Sequence, residues 1–239
     1  MTQTPTGDTP LGAMRFNSDS QKLEYFNGEI WMQIHTFSPN LDGGARGLFT
    51  GGYAAPSYQT RVDAINISSA GNAIDFGDMI GGGYYGAAGG GSRTRGMQGG
   101  GSTPGDGDAD EIQYITISSL GNFIDFGNLS TGRRGNGGVA NQTRFLIGGG
   151  YDGSNRVTTI DYVTIASAGD AYSFGDLSVA KNNAGGTQSP TRGIFANGGT
   201  SPGINVIEYV TIATLGDVSD FGDTPTLKAE TFGCGNSTR

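Results

Sequence analysis

Short runs along the chain alternate apolar and polar residues with period two, and four of these runs are variants of one another. They are Ala64-Ile65-Asn66-Ile67, Tyr114-Ile115-Thr116-Ile117, Tyr162-Val163-Thr164-Ile165 and Tyr209-Val210-Thr211-Ile212. Alternating β-branched residues between glycine-rich turns predict a half-buried strand in each. Downstream of each run stands an aromatic-glycine-acid string: Asp75 to Asp78, Asp125 to Asn128, Ser173 to Asp176 and Asp220 to Asp223. Upstream lie an arginine, a short apolar run and a glycine doublet, as in Arg46-Gly47-Leu48-Phe49-Thr50-Gly51-Gly52. Arg46, Arg95, Arg144 and Arg192 mark the period, at spacings of 49, 49 and 48 residues. Each period predicts three or four short strands that bury their apolar faces only against neighbouring repeats. No segment offers a capped helical stripe over two turns, so the expected fold is all-β.

The N-terminal stretch repeats the pattern in a shorter form. Leu23-Glu24-Tyr25-Phe26-Asn27 matches Ile160-Asp161-Tyr162-Val163-Thr164, and Trp31 stands where later repeats carry Phe76, Phe126, Phe174 and Phe221. Met14-Arg15-Phe16 supplies a preceding strand, but this unit lacks its first one. Phe232 to Asn236 would provide it, with Arg239 lying 47 residues after Arg192. The expectation is a five-bladed β-propeller over 12–239, closed by pairing of the C-terminal strand with the N-terminal blade. Closure removes the free sheet edges that invite aggregation. A Thr- and Pro-rich extended arm over 1–11 precedes it.

Composition sharpens this picture. Of 239 residues, 45 are glycine, and only 35% are hydrophobic and 15% charged, which alone would fit disorder. The 12 Phe, 10 Tyr and 1 Trp argue for a packed core instead. Flat glycine-rich strands packing closely near an axis reconcile the two. No apolar run is long enough for a membrane helix, and the first ten residues lack the pattern of a signal peptide. The net charge of -8, without a basic block, argues against a nucleic-acid partner. Cys234 is alone and forms no internal disulfide; a buried place in the closing strand is expected for it. With His35 as the single histidine, and no Asp/Ser pair near it in sequence, Ser-His-Asp chemistry and multi-histidine metal sites are left almost without material.

The periodic residues are the candidate site. Equivalent positions in a propeller form a ring, so Arg46, Arg95, Arg144, Arg192 and Arg239 either tether blades or bind an anion together at the axis. The tether reading pairs them with acidic residues of the aromatic-glycine-acid turns, Asp78, Asp176 and Asp223, Asn128 being the neutral variant. Glu24, Asp161 and Glu208 are expected as strand-end or turn partners, and Trp31 as core. Asp106 to Glu111 alternates carboxylates, but the sixth and twelfth positions of a calcium loop would be Glu111 and Ile117 instead of Gly and Glu. A solvated acidic turn is the expectation. Gly81 to Gly91 and Gly99 to Gly101 lack the strand-to-helix context and lysine of a phosphate loop. No catalytic residue, metal or cofactor is expected.

The order of glycine doublet, tyrosine strand and aromatic strand resembles kelch-type β-propeller repeats, with Leu23 to Met32 looking most like the kelch third strand, turn and tryptophan strand. That resemblance implies a propeller and no particular activity. Gly12-Ala13-Met14-Arg15-Phe16-Asn17-Ser18, leading to Leu23-Glu24-Tyr25-Phe26-Asn27-Gly28 and Trp31, is similar to a segment of bacteriophage structural proteins. The later repeats look like those of tailed phages, notably of marine cyanobacteria. This second resemblance implies a virion component (fibre, knob or capsid decoration) assembled in the host cytoplasm and present in many copies. Its partners would be other virion proteins, reached through the arm or one propeller face, and a host-surface glycan. The alternative is a five-bladed carbohydrate-binding lectin. A glycosidase is the weakest reading, because catalytic carboxylate pairs break the symmetry that these acids follow.

Overall fold

The computed structural model describes residues 9–17, 22–33, 46–105, 107–199 and 202–235, and every regular element among them is a β-strand. The chain divides into two units, 1–40 and 41–239. The first holds one antiparallel meander of β1 (Met14–Asn17), β2 (Lys22–Phe26) and β3 (Trp31–Gln33). Its β2–β3 turn is closed by Asn27 Oδ1, which accepts the amides of Glu29 and Ile30 at 3.0 and 2.8 Å. Trp31 packs on Phe26 at 5.6 Å between ring centroids, and the Arg15 guanidinium lies 4.2 Å above its ring. Glu24 is buried and accepts from Arg15 Nε and Asn17 Nδ2, both at 2.9 Å. The Asn17 amide and the Arg15 guanidinium hold its carboxyl below the ordinary value against the opposing effect of burial. Trp31 is half-buried, short of the core position expected, because a single three-stranded layer has too little depth to cover an indole. His35 lies outside the described residues.

Among the described residues the second unit holds four sheets of three or four strands, here numbered I to IV, and two short hairpins. Sheet I comprises β4 (Arg46–Thr50), β7 (Arg61–Asn66) and β8 (Ile74–Asp78), with β5 (Tyr53–Ala54) and β6 (Ser57–Tyr58) as a hairpin in the β4–β7 connection. Sheet II is β9 (Ala88–Gly91), β10 (Arg95–Gly99), β13 (Glu111–Thr116) and β14 (Ile124–Asn128), with the hairpin of β11 (Ser102–Thr103) and β12 (Gly107–Asp108) at the same place. Sheet III is β15 (Gly137–Ala140), β16 (Arg144–Gly148), β17 (Thr159–Thr164) and β18 (Tyr172–Asp176). Sheet IV is β19 (Gly185–Gln188), β20 (Arg192–Ala196), β21 (Ile204–Thr211) and β22 (Ser219–Lys228). All neighbours are antiparallel, and the outermost pair shifts register at one equivalent point: Val62/Asp63, Ile112/Gln113, Ile160/Asp161 and Ile207/Glu208.

The inner strands β9, β15 and β19 lie where the sequence pattern marks only glycine-rich connections. Alanine and glycine give no alternation to read, yet their backbones pair with β10, β16 and β20. Their composition follows from how closely they stack. A Cβ on Gly138 would collide with the carbonyl oxygen of Gly89, and one on Gly186 with that of Gly138. The series continues at Gly233, where a Cβ would sit 2.6 Å from Gly186 O. Side chains fill the space farther out. Phe145 occupies the notch left by Gly90, and Phe195 that left by Gly148. The cores therefore form between consecutive sheets: Val62, Phe76 and Ile115 between I and II; Ile112, Phe126, Phe145 and Ile147 between II and III; Leu146, Phe174, Phe195 and Val210 between III and IV.

The expected C-terminal closing strand is not found. Among the described residues the first unit's sheet ends at three strands, and Phe232–Gly235 carry no strand; Asn236 to Arg239 lie outside the description. The segment instead follows β19. Thr231 Oγ1 accepts from Gly185 N at 3.1 Å and donates to Ala196 O at 3.3 Å, and Gly233 sits against Gly186. Phe232 and Cys234 are exposed, which corrects the buried place expected for the thiol.

Stacking through missing Cβ atoms makes a selective prediction. Gly138→Ala and Gly186→Ala should each destabilise the protein by about 2 kcal/mol or more, as overpacking does. Gly89→Ala, whose Cβ would meet nothing within 4 Å, should cost under about 1 kcal/mol. Denaturant midpoints of the three variants check this ordering.

Candidate functional site at the sheet junctions and the inner-strand cleft

Three of the periodic arginines cross from one sheet to the next. Nη1 of Arg46 donates to Ile117 O at 2.6 Å, that of Arg95 to Ile165 O at 2.5 Å, and that of Arg144 to Ile212 O at 2.8 Å. These three guanidiniums and that of Arg192 also lie over an aromatic ring of their own sheet: Arg95 over Tyr114 at 4.5 Å, Arg144 over Tyr162 at 4.8 Å, Arg192 over Tyr209 at 4.7 Å, and Arg46 over Phe76 at 5.8 Å. The acids Asp78, Asp176 and Asp223 are not their partners. Register explains why: Arg144 is opposite Thr164 at one end of sheet III, whereas Asp176 is opposite Thr159 at the other. Five strand residues separate those ends, about 17 Å. Asp78 and Asp176 instead accept from Thr60 Oγ1 and Thr158 Oγ1, at 3.4 and 2.9 Å. Asp223 is paired in register with Val206, and Arg239 lies outside the described residues.

A second, buried set of charges joins the sheets deeper in. Asp161 of sheet III is fully buried and accepts from Ser130 N and Oγ, at 3.0 and 2.7 Å, and from Arg133, whose Nη1 is 3.0 Å away. Burial pulls the Arg133 pKa down, and the Asp161 carboxylate opposes that shift. One repeat later, Glu208 accepts from Ser178 N at 3.0 Å and from Ser178 Oγ. Lys181 Nζ lies 2.7 Å from Glu208 Oε2, in a geometry that is an ion pair more than an aligned hydrogen bond. At the first junction the acceptor is neutral: Gln113 Oε1 takes Ile80 N at 3.1 Å, and Gly83 stands where Arg133 and Lys181 would be. The acid thus occurs only where a cation lies three residues after the donor. Asp161 and Glu208 were legible as contact residues; Arg133 and Lys181 were missed, because only comparison of the connectors exposes them.

An open cleft of about 550 Å³ beside the inner strands is lined by Tyr85, Arg134, Asn136, Asn182, Asn183 and Glu230 together with glycine backbone. Its wall is a ladder of backbone bonds between left-handed positions. Gly135 N donates to Gly86 O and Asn183 N to Gly135 O, both at 2.6 Å. The φ angles are 69° at Gly86, 66° at Gly135, 55° at Asn183 and 53° at Glu230, so the third and fourth repeats hold this strained place without glycine. Arg134 is held by Asp108 and stacks 4.8 Å from the Tyr151 ring. Asn136 donates to Arg133 O at 3.0 Å while its Oδ1 is buried without a partner. Amide and carbonyl groups dominate this lining, with Arg134 and Glu230 as its charged members.

The acidic run near residue 106 is divided between structural partners. Asp108 holds Arg134, and Glu111 accepts from Tyr84 Oη. Burial, with the neighbouring charge of Asp125, raises the Glu111 pKa. Asp106 lies outside the described residues, among which no group of three His, Cys, Asp or Glu is placed to hold a metal ion. Comparison with protein-family models and with curated proteins yields no match to this chain.

Removing one member of a buried pair strands the other. Lys181→Met should cost about 3 kcal/mol or more, measured by chemical denaturation. Adding Glu208→Gln, which keeps the acceptor for Ser178 but removes the charge, should recover part of that loss.

Proposed function

We propose that the chain is a non-enzymatic structural protein of a phage virion, in which sheets I to IV serve as blades of a β-propeller displayed in many copies. The observation that carries this reading is the repeated junction. The buried pairs of the second unit, Arg133 with Asp161 and Lys181 with Glu208, hold one sheet to the next. A side-chain set devoted to joining repeats suits a scaffold. The resemblance of Gly12 to Trp31 to a segment of phage structural proteins supplies the setting, a tail fibre, knob or capsid decoration assembled in the host cytoplasm. The residues before Gly12 would anchor it to other virion proteins, and the exposed loops would face a host surface. The acidic charge of -8 fits a surface position better than contact with packaged nucleic acid.

The second reading is glycan binding, favoured by the inner-strand cleft with its Asn182, Asn183 and half-exposed Tyr85. Both readings are checked on purified particles. The virion role predicts the intact protein in them by mass spectrometry and loss of incorporation when residues 1–11 are removed. Its absence from particles contradicts the role; undiminished incorporation of the shortened chain contradicts the anchor. Glycan-array binding lost on Tyr85→Ala, without a change in incorporation, would establish the second reading beside the first.

A further inference from the structure

Each internal junction of the second unit repeats one set of bonds. A loop of the following sheet grips the outer strand of the preceding one: Gly121 N and Phe123 N donate to Phe76 O and Asp78 O at 3.1 and 2.8 Å, and Asn122 Oδ1 accepts Asp78 N at 3.0 Å. Gly169, Asp170 and Ala171 do the same to Phe126 and Asn128, and Gly216, Asp217 and Val218 to Phe174 and Asp176. The arginine-to-isoleucine-carbonyl bond completes each junction.

Sheets I and IV each present one half of this junction with nothing described on it. On sheet IV, Phe221 is 52% exposed although Phe76, Phe126 and Phe174 are each 3% exposed. Gly222 has open space where Gly77, Gly127 and Gly175 meet the carbonyls of Gly121, Gly169 and Gly216. On sheet I, Phe49 is 60% exposed although its counterparts Ile147 and Phe195 are fully buried. Ile67 is 69% exposed, against 2% for Ile165 and 0% for Ile212. The loop Gly71-Asn72-Ala73, equivalent to Gly121-Asn122-Phe123, is exposed throughout.

The two halves also match where they depart from the repeat. Pro225 stands where Ile80, Ser130 and Ser178 donate, so sheet IV offers no amide there. Its would-be acceptor on sheet I, Asp63, is already paired with Arg61 Nε at 2.8 Å. The lost donor faces an acceptor that does not need it.

We infer that the free face of sheet IV docks onto the free face of sheet I of a second copy of this chain, head to tail. Arg192 then donates to Ile67 O, and the loop Gly71 to Ala73 closes over Phe221 and Gly222. The corresponding β2–β3 connection of the first unit is instead the tight Asn27–Ile30 turn. Such a contact is heterologous: it joins two different surfaces and either closes into a ring or extends.

The test uses the full chain in sedimentation velocity, from micromolar to the highest soluble concentration. The wild type should at least double its mass as concentration rises. Phe221→Asp or Arg192→Gln blocks one half, and Phe49→Asp or Asn72→Ala blocks the other. Every blocked variant should be monomeric with an unchanged thermal midpoint, because these side chains are exposed. Mixing Phe221→Asp with Phe49→Asp should restore a one-to-one dimer and nothing larger, since each copy keeps the complementary half. A wild type that stays monomeric throughout, a variant that still dimerises alone, or a mixture that stays monomeric overturns the inference.

Discussion

The second unit depends on one constraint: its inner strands approach so closely that a Cβ between them has no room. Gly89, Gly138, Gly186 and Gly233 are spaced by 49, 48 and 47 residues, and three of them press on the carbonyl of the one before. Overlap of that kind costs more than the apolar surface of a methyl group contributes. Part of the high glycine content is thus the consequence of stacking, and much of the rest is held at positive φ. Stacking also explains how a chain with 35% hydrophobic residues builds a core. Where backbone meets backbone no side chain is needed, and the large residues gather farther out, as Phe145 and Phe195 do against glycine notches.

Close stacking fixes where polar groups belong. Sheets held at a constant offset bring the connector after each outer strand against the third strand of the next sheet, and that place is dry. A cation there requires an acid, and an acid requires a cation. The pairs Arg133 with Asp161 and Lys181 with Glu208 satisfy this, and the Gly83 and Gln113 combination satisfies it by removing both charges. Buried pairs of this sort contribute little net stability over an apolar packing. Their effect is to penalise any other register between sheets, because a slip would leave a charge buried alone.

Sequence legibility followed the same division. The strands with Tyr162 or Phe174 were readable because alternation and repetition coincide there. The inner strands were not, since Ala88 to Gly91 has no side-chain pattern to alternate. The arginines were recognisable as an equivalent set, but their partners are main-chain carbonyls of the following sheet, which carry no residue identity. The acids proposed for them sit at the far end of each sheet, a fact of register that emerges only once strands are paired. The left-handed series from Gly86 to Glu230 was hidden because Asn183 and Glu230 break the glycine signature.

Native-state hydrogen exchange reads the central claim most directly. If the inner-strand stack holds the sheets as one cooperative body, the amides of Gly135 and Asn183, which bond across sheets, should exchange only with global unfolding. Their protection should match that of Ile147 within sheet III. Exchange of Gly135 and Asn183 at the rate of exposed turn amides such as Ser154, with Ile147 still protected, would contradict the account.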